Sequence, residues 1–287
     1  MKSIKKVLGA VFAAAIGVSL AAGCGANAST ATAGNAGNPT GGAKKEVVLK
    51  VGAVPTPHAE ILDYIKPMLA KEGIDLQVVV FNDYVQPNRA LASGQIDANY
   101  FQHVPYLNDY NKQNGTDLVP TVAVHFEPLG LYPGKSTSLK NIPDGATIAV
   151  PNDTTNEGRA LLLLQSAGII KLKDPTDLTA TPDDIVSNPH HIRIEELDAA
   201  AIPRSVHDVN YAVINGNYAL EAGFNISDAL ISEKANSLAA KTYANVIVVR
   251  KGEQNNPAII ALDKAITSPA VKKFIEQKYK GSVVPVF

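Results

Sequence analysis

Short apolar runs alternate with helical patterns along most of this chain, and this alternation constrains the fold more than any other feature. A glycine follows each helical pattern, as is typical of a helix C-terminus. The alternation predicts βα units in mainly parallel sheets, and therefore an α/β fold. The predicted strands are 47–51, 76–81, 118–124, 147–150, 191–195, 211–214 and 246–249. The predicted helices are 59–71, 88–93, 105–114 and 158–167.

The middle of the chain carries a dense group of turn-forming residues. Pro128, Gly130, Pro133 and Gly134 all fall within eleven residues, 125–135, which predicts a crossing of the chain between two lobes. A second crossing is predicted over 242–251, where the chain would return to the first lobe. We therefore predict lobe 1 over 46–126 and 247–287, and lobe 2 over 127–246, with a ligand cleft between them.

The first residues have the layout of a secretory signal peptide. Three lysines precede the apolar stretch 7–22, and the small residues Ala22 and Gly23 follow, so that we predict a signal peptide over 1–23. Cys24 is the only cysteine of the chain and cannot form an internal disulfide. The segment 20–24, Leu-Ala-Ala-Gly-Cys, resembles the lipobox of bacterial lipoproteins, although Ala21 stands where a leucine or branched residue is usual. The resemblance implies lipidation of Cys24, and the alternative is ordinary cleavage in a secreted protein.

Residues 24–45 are rich in glycine, alanine, asparagine and threonine, and they predict a flexible tether between the lipid anchor and the folded body. Without residues 1–23 the chain has 23 basic and 27 acidic residues, a formal charge of −4. This mildly acidic balance argues against nucleic-acid binding, which favours a clustered basic face. No later run is long and apolar enough to span a bilayer.

Three polar clusters each follow a predicted strand directly, at 82–84, 151–156 and 215–217. Ligands in open α/β sheets bind outside the carboxyl ends of the strands, so the clusters indicate one binding region. Each cluster alone is equally typical of a strand-to-helix turn.

Arg159 makes the binding interpretation stronger. The predicted helix starts at Gly158, which places this cation in the first turn, against the positive end of the helix dipole. An arginine there favours a carboxylate ligand, and the alternative is a solvent-facing side chain without a partner. On this interpretation, removing Arg159 would leave the empty fold unchanged or slightly more stable. The segment 97–106, rich in aromatic and amide groups, is typical of a pocket for an apolar side chain with polar ends.

At these positions several long motifs closely resemble the methionine-binding lipoprotein family, called MetQ or NlpA. They are FNDYVQPNRAL at 81–91, GQIDAN at 94–99, FQH at 101–103 with PYL at 105–107, and PNDTTNEGRALLLLQ at 151–165. The resemblance covers the chain from about residue 47 to its end, together with the leader. Thr154 and Glu157 depart from it, because proline and leucine are common there in the family.

The resemblance implies a two-lobed periplasmic-binding-protein fold, type 2-like, which closes on methionine and delivers it to an ABC importer. Implied partners are the importer's permease and ATPase and, through the lipid anchor on the extracytoplasmic face, the membrane; the protein would be a monomer. Alternatives are a methionine-containing dipeptide or another small apolar amino acid as ligand, and an adhesion or scaffold role. The implied ligand-binding residues are Arg159 for the carboxylate, Asn215 and Asn245 for the backbone ends, Asn156 as support for Arg159, and Tyr84, Phe101, His103 and Tyr106 around the side chain.

An enzyme and a metal carrier are the competing classes. The nucleophile-elbow, Walker and dinucleotide-binding motifs are absent from the sequence, so we predict no catalytic residue and no cofactor. His190 and His191 are adjacent and would point to opposite faces of a strand, so we predict no metal site there. His58 is predicted to lie near the cleft, without a predicted ligand contact.

Overall fold

The computed structural model describes residues 46–234 and 241–287 of the 287-residue chain. The predicted signal peptide, Cys24 and the tether up to residue 45 lie outside these residues. No helix within the described ranges has the length and apolar character needed to cross a membrane.

A six-stranded mixed sheet organises the first lobe, in the order β13-β4-β12-β3-β1-β2. β1 runs parallel to β2 and β3, whereas β12 is antiparallel to both β3 and β4. Apolar side chains from this sheet and from helices α1, α7 and α8 form one buried core. The strands are β1 Val47–Ala53, β2 Ile74–Val80, β3 Ala98–His103, β4 Val119–Phe126, β12 Asn245–Val249 and β13 Val284–Pro285. The helices are α1 Glu60–Ala70, preceded by the helical turn Pro55–Ala59, then α2 Gln86–Ala92, α3 Val104–Asn114, α7 Pro257–Ile266 and α8 Pro269–Tyr279.

A five-stranded sheet organises the second lobe, in the order β11-β5-β10-β6-β9. Its strands are β5 Gly130–Pro133, β6 Thr147–Pro151, β9 Arg193–Leu197, β10 Tyr211–Ile214 and β11 Ile231–Ser232, and a separate ribbon joins β7 Lys171–Leu172 to β8 Ile185–Ser187. The helices are α4 Thr154–Ser166, α5 Ile202–Ser205 and α6 Gly216–Glu221. Single 3₁₀ turns occupy Pro182–Asp184, Val206–Asp208 and Ile226–Asp228 here, and Glu253–Asn255 in the first lobe.

The predicted strands and helices are all present, with ends that differ by a few residues. The expectation of mainly parallel sheets is wrong, because β4, β5, β11, β12 and β13 all pair in antiparallel fashion. Six strands were missed: β3, which was interpreted as a polar segment before a helix, β5, which was interpreted as part of the crossing, and β7, β8, β11 and β13. Amide residues hide the strand pattern in β3, and glycine and proline hide it in β5, whereas the other four strands have only two or three residues each. Helices α5, α6, α7 and α8 were also not predicted.

The start of α4 is the correction that matters most for the site. This helix begins at Thr154, because the Asp153 side chain accepts a hydrogen bond from the backbone N–H of Asn156 at 3.0 Å and caps it. Arg159 therefore lies in the second turn, beyond the range of the helix-end dipole. The argument that placed Arg159 in the first turn was wrong.

The chain passes between the two sheets twice. It leaves β4 at Phe126 and enters β5 at Gly130, and it returns to the six-stranded sheet where β12 begins at Asn245. The two crossings place Glu127 and Asn245 between the lobes. The carboxyl ends of β2, β6 and β10 meet near them, which is the arrangement that brings the three polar clusters together.

Candidate functional site

One cavity between the lobes is lined by all eight ligand-binding residues predicted from the sequence. The volume of the cavity that no protein atom occupies is about 350 Å³, and this includes the part that opens to solvent. The first lobe contributes Tyr84, Phe101, His103, Tyr106 and Asn245, and the second contributes Asn156, Arg159 and Asn215. Gln102, Glu127, Gly216 and Asn217 also line the cavity. Gln102, Gly216 and Asn217 fall in segments that were predicted to form the binding region but were not named as ligand-binding residues, and Glu127 was not predicted.

A bulge in β3 lies at Phe101, which forms the aromatic wall of the cavity together with Tyr84 and Tyr106. Gln102 pairs with Val246 and Tyr100 pairs with Ile247, so that the register skips Phe101. A bulge of this kind redirects a side chain next to a functional site. The rings of Tyr84, Phe101 and Tyr106 lie with each pair of centroids 6.0 Å apart.

Two hydrogen bonds hold that wall in place. The Tyr106 hydroxyl donates to the backbone oxygen of Tyr84 at 3.0 Å, and the Tyr84 hydroxyl donates to Asn217 Oδ1 across the cleft. Apolar ring faces with their polar groups already engaged are suited to an apolar ligand side chain.

Arg159 is buried, with 4 % of its surface exposed, and it is paired within the protein. Its Nε donates to Glu233 Oε1 at 2.9 Å, and its Nη2 lies 2.5 Å from Glu233 Oε2 and 2.9 Å from the backbone oxygen of Glu127. The Tyr243 ring lies 4.3 Å from the guanidinium carbon. Burial lowers and the Glu233 carboxylate raises the pKa of Arg159, with a net rise. The expectation that removing this side chain leaves the fold unchanged is therefore replaced by one of destabilisation.

The side chains of Asn215, Asn156 and His103, next to Arg159, are connected by hydrogen bonds. Asn156 Oδ1 accepts from Asn215 Nδ2 at 2.9 Å and lies 3.2 Å from His103 Nε2. The Asn156 Nδ2 donates to both carboxylate oxygens of Asp153, each at 3.0 Å. Asn215 Oδ1 is buried and has no hydrogen-bond partner among the described residues. The cavity thus contains a buried acceptor that a ligand could satisfy.

Glu127 is a second buried acceptor in the cavity, and it lies against Gly216. A side chain at Gly216 would place Cβ 2.7 Å from Glu127 Cβ, so only glycine permits this approach. Burial raises the pKa of Glu127, although His58, Arg159 and the Asn217 backbone N–H lower it. Glu127 lies in the segment whose prolines and glycines were interpreted as a crossing. The single acid of that apolar segment is the signal that could have identified it.

His58 and His125 support Glu127 from outside the cavity. His125 Nε2 lies 2.6 Å and His58 Nε2 lies 3.4 Å from Glu127 Oε1, and His58 Nε2 is also 3.0 Å from Asn245 Oδ1. Burial lowers the pKa of His58 to about 4 and that of His125 to about 3, so both are neutral at pH 7.

These three side chains are also the one group of metal-ligand type within the described ranges, with donor atoms within 4.8 Å of one another. Two nitrogen or oxygen ligands of a tetrahedral zinc ion lie about 3.3 Å apart. The 2.6 Å separation between His125 and Glu127 is shorter and is that of a hydrogen bond, which a metal would have to break. His190 and His191, the pair considered from the sequence, lie in a turn, where the exposed His191 pairs with Asp144 at 2.6 Å.

A protein-family profile described as NlpA lipoprotein matches residues 49–287. The chain belongs to the NlpA lipoprotein family. Among its relatives, the methionine-binding lipoprotein MetQ of Bacillus subtilis is 43 % identical over 250 residues, which is 85 % of this chain and 89 % of that protein.

Two solved structures of this family's fold extend the comparison. A nutrient-binding protein of Burkholderia cenocepacia bound to methionine is 47 % identical, with a TM-score of 0.79, over 83 % of this chain and 100 % of the other. The substrate-binding protein of a methionine transporter from Streptococcus pneumoniae is 39 % identical, with a TM-score of 0.79, over 84 % and 96 %. The α/β, two-lobed binding-protein fold predicted for this NlpA-family chain is thereby confirmed.

Proposed function

We propose that this chain is an extracytoplasmic solute-binding lipoprotein that captures methionine, as the L- or D-isomer, and delivers it to an ABC importer. One observation carries the proposal: a single cavity combines a buried guanidinium, two buried oxygen acceptors and an aromatic wall. A free amino acid with an apolar side chain supplies the matching carboxylate, ammonium and side chain. Its binding is non-catalytic and needs no cofactor.

The charges of the cavity suggest how the ligand lies. Its carboxylate faces Arg159 and the amide of Asn245, whose oxygen is already engaged by His58 Nε2 at 3.0 Å. That leaves the Asn245 Nδ2 as a donor. The ligand ammonium faces Asn215 Oδ1, which lacks a donor, and the carboxylate of Glu127, since a positive charge matches both acceptors.

The side chain of the ligand lies against Tyr84, Phe101, His103 and Tyr106. His103 is neutral, because burial and then the charge of Arg159 lower its pKa to about 3. A neutral imidazole contacts a thioether without the cost of desolvating a charge. Asn156 supports the polar end of the site through its hydrogen bonds to His103 and Asn215.

Lipidation of Cys24 and the tether 24–45 would keep the folded body near the outer face of the cell membrane. The partners are then the permease and ATPase of the importer, and the protein acts as a monomer. A methionine-containing dipeptide or another small apolar amino acid would use the same groups, so these remain the alternative ligands.

Calorimetry of ligand-stripped protein tests the proposal against L-methionine, D-methionine, leucine, a methionine-containing dipeptide, sugars and divalent metals. At one hundred times the dissociation constant, the preferred ligand should stabilise the fold by about 2.7 kcal/mol and raise its melting temperature by several degrees. The largest effect is expected for free methionine. A panel in which only a sugar or a metal binds would overturn the proposal.

A further inference from the structure

Asp153 does not line the cavity, yet its carboxylate holds the side chain that orients two cavity residues. Its Oδ1 accepts from the backbone N–H of Asn156 at 3.0 Å and from the Thr155 hydroxyl at 3.2 Å. Both carboxylate oxygens also accept from Asn156 Nδ2 at 3.0 Å. Burial raises the pKa of Asp153, whereas the hydrogen bonds from Asn156 and Thr155 lower it and favour the ionised form. An ionised carboxylate only accepts hydrogen bonds, so the Asn156 amide must turn its NH₂ group towards Asp153.

This orientation passes on to the next amide. With its NH₂ group committed to Asp153, Asn156 presents its oxygen on the other side, where Asn215 Nδ2 lies 2.9 Å away. Asn215 must then donate to Asn156, which leaves its own oxygen as the unpartnered acceptor of the cavity. An asparagine side chain has no such preference by itself, because its two ends are nearly equal in size.

His103 fixes the same orientation from the opposite direction. The backbone N–H of Tyr106 can only donate, and it donates to His103 Nδ1 at 3.2 Å. In the neutral imidazole the other nitrogen, Nε2, then carries the proton and can only donate. Its partner at 3.2 Å is Asn156 Oδ1, so an obligate donor and an obligate acceptor impose one orientation on Asn156.

We propose that Asp153 is a positioning residue that sets the hydrogen-bond polarity of the site, so that the cavity presents an acceptor to the α-substituent of the ligand. The inference rests on the proposed function, and it adds a residue outside the cavity that sets the ligand preference. Ligands with an α-ammonium group fit this polarity, whereas an α-keto acid places a second acceptor against Asn215 Oδ1. The site therefore selects amino acids over their 2-oxo analogues.

The test measures dissociation constants of the mature protein for methionine and for its 2-oxo analogue, 4-methylthio-2-oxobutanoate. Wild type should bind methionine at least ten times more tightly. Asp153→Asn keeps an oxygen to cap α4 but replaces the other oxygen by a donor. Only His103 then holds the orientation of Asn156, so Asn156 and Asn215 can turn around at the loss of that one hydrogen bond. The preference for methionine should fall at least tenfold, through weaker methionine binding and equal or tighter binding of the oxo acid.

Asp109→Asn is the matched control. Asp109 is an acidic residue near Asp153 whose carboxylate accepts a hydrogen bond from Gln113 and not from Asn156 or Asn215. This replacement should leave the preference unchanged, which separates orientation from loss of negative charge. Asp153→Ser, which retains a capping hydroxyl and lacks the second oxygen, should repeat the loss if Asp153→Asn folds poorly. Equal weakening of both ligands, or an equal change in Asp109→Asn, would overturn the inference. Failure of the wild type to bind methionine would instead overturn the proposed function.

Discussion

Replacing Arg159 by alanine should destabilise the unliganded protein, contrary to what its predicted place in the first helical turn implied. The replacement removes two contacts to Glu233, at 2.5 and 2.9 Å, and leaves that carboxylate with its side chain 9 % exposed. Leaving one member of a buried pair without its partner costs about 3–5 kcal/mol. For a fold of this size, that corresponds to a fall of about 6–20 °C in melting temperature.

Circular dichroism or a dye can follow the melt, since the chain contains no tryptophan. The double replacement Arg159→Met with Glu233→Leu is the control, because it removes both charges and retains their volume. It should recover most of the stability while methionine binding remains lost, which separates the two roles of Arg159. An Arg159→Ala variant that melts with the wild type would refute the buried-pair reasoning.

Three further predictions concern other parts of the chain. Cys24→Ser should move the protein from the membrane to the soluble fraction, and retention on membranes in high salt would contradict lipidation. Asn215→Ala should weaken methionine binding by about 1–3 kcal/mol in calorimetry, and an unchanged affinity would remove Asn215 from the site. Burial, and then Glu196, raises the pKa of Glu157 from 4.5 to about 8. The folded state then holds this proton more tightly than the unfolded state, so stability falls as the pH rises from about 4.5 to 8. Glu157→Gln should therefore gain about 1–3 kcal/mol at high pH and little at pH 5, in melts across that range; a constant difference would contradict the shift.

Local patterns predicted seven of the thirteen strands and four of the eight α-helices in the described residues, because periodicity, capping residues and glycine stops act over a few residues. The same patterns failed where local and tertiary signals differ. β3 carries Asn99, Gln102 and His103 in a fully buried strand, and its polar residues are tolerated only because other parts of the fold satisfy them. Asn99 and Gln102, for example, bond to Asn88 on α2 at 2.7–2.9 Å.

The cavity residues were predicted through the family resemblance, and the structure brings all eight to one place. Glu127 was missed because its importance depends on Gly216, which lies 89 positions later in the chain and permits its close approach. No motif within one segment carries that information.

The sequence by itself determined the α/β fold and the chemical types gathered at the strand ends. Only the tertiary structure decided which atoms of those side chains remain free. Arg159 meets Glu233 across 74 positions, and Asn215 meets Asn156 across 59. The physical reason is that an asparagine or arginine offers several donors and acceptors. Packing of distant segments engages some of them, and those left over define what a ligand must supply.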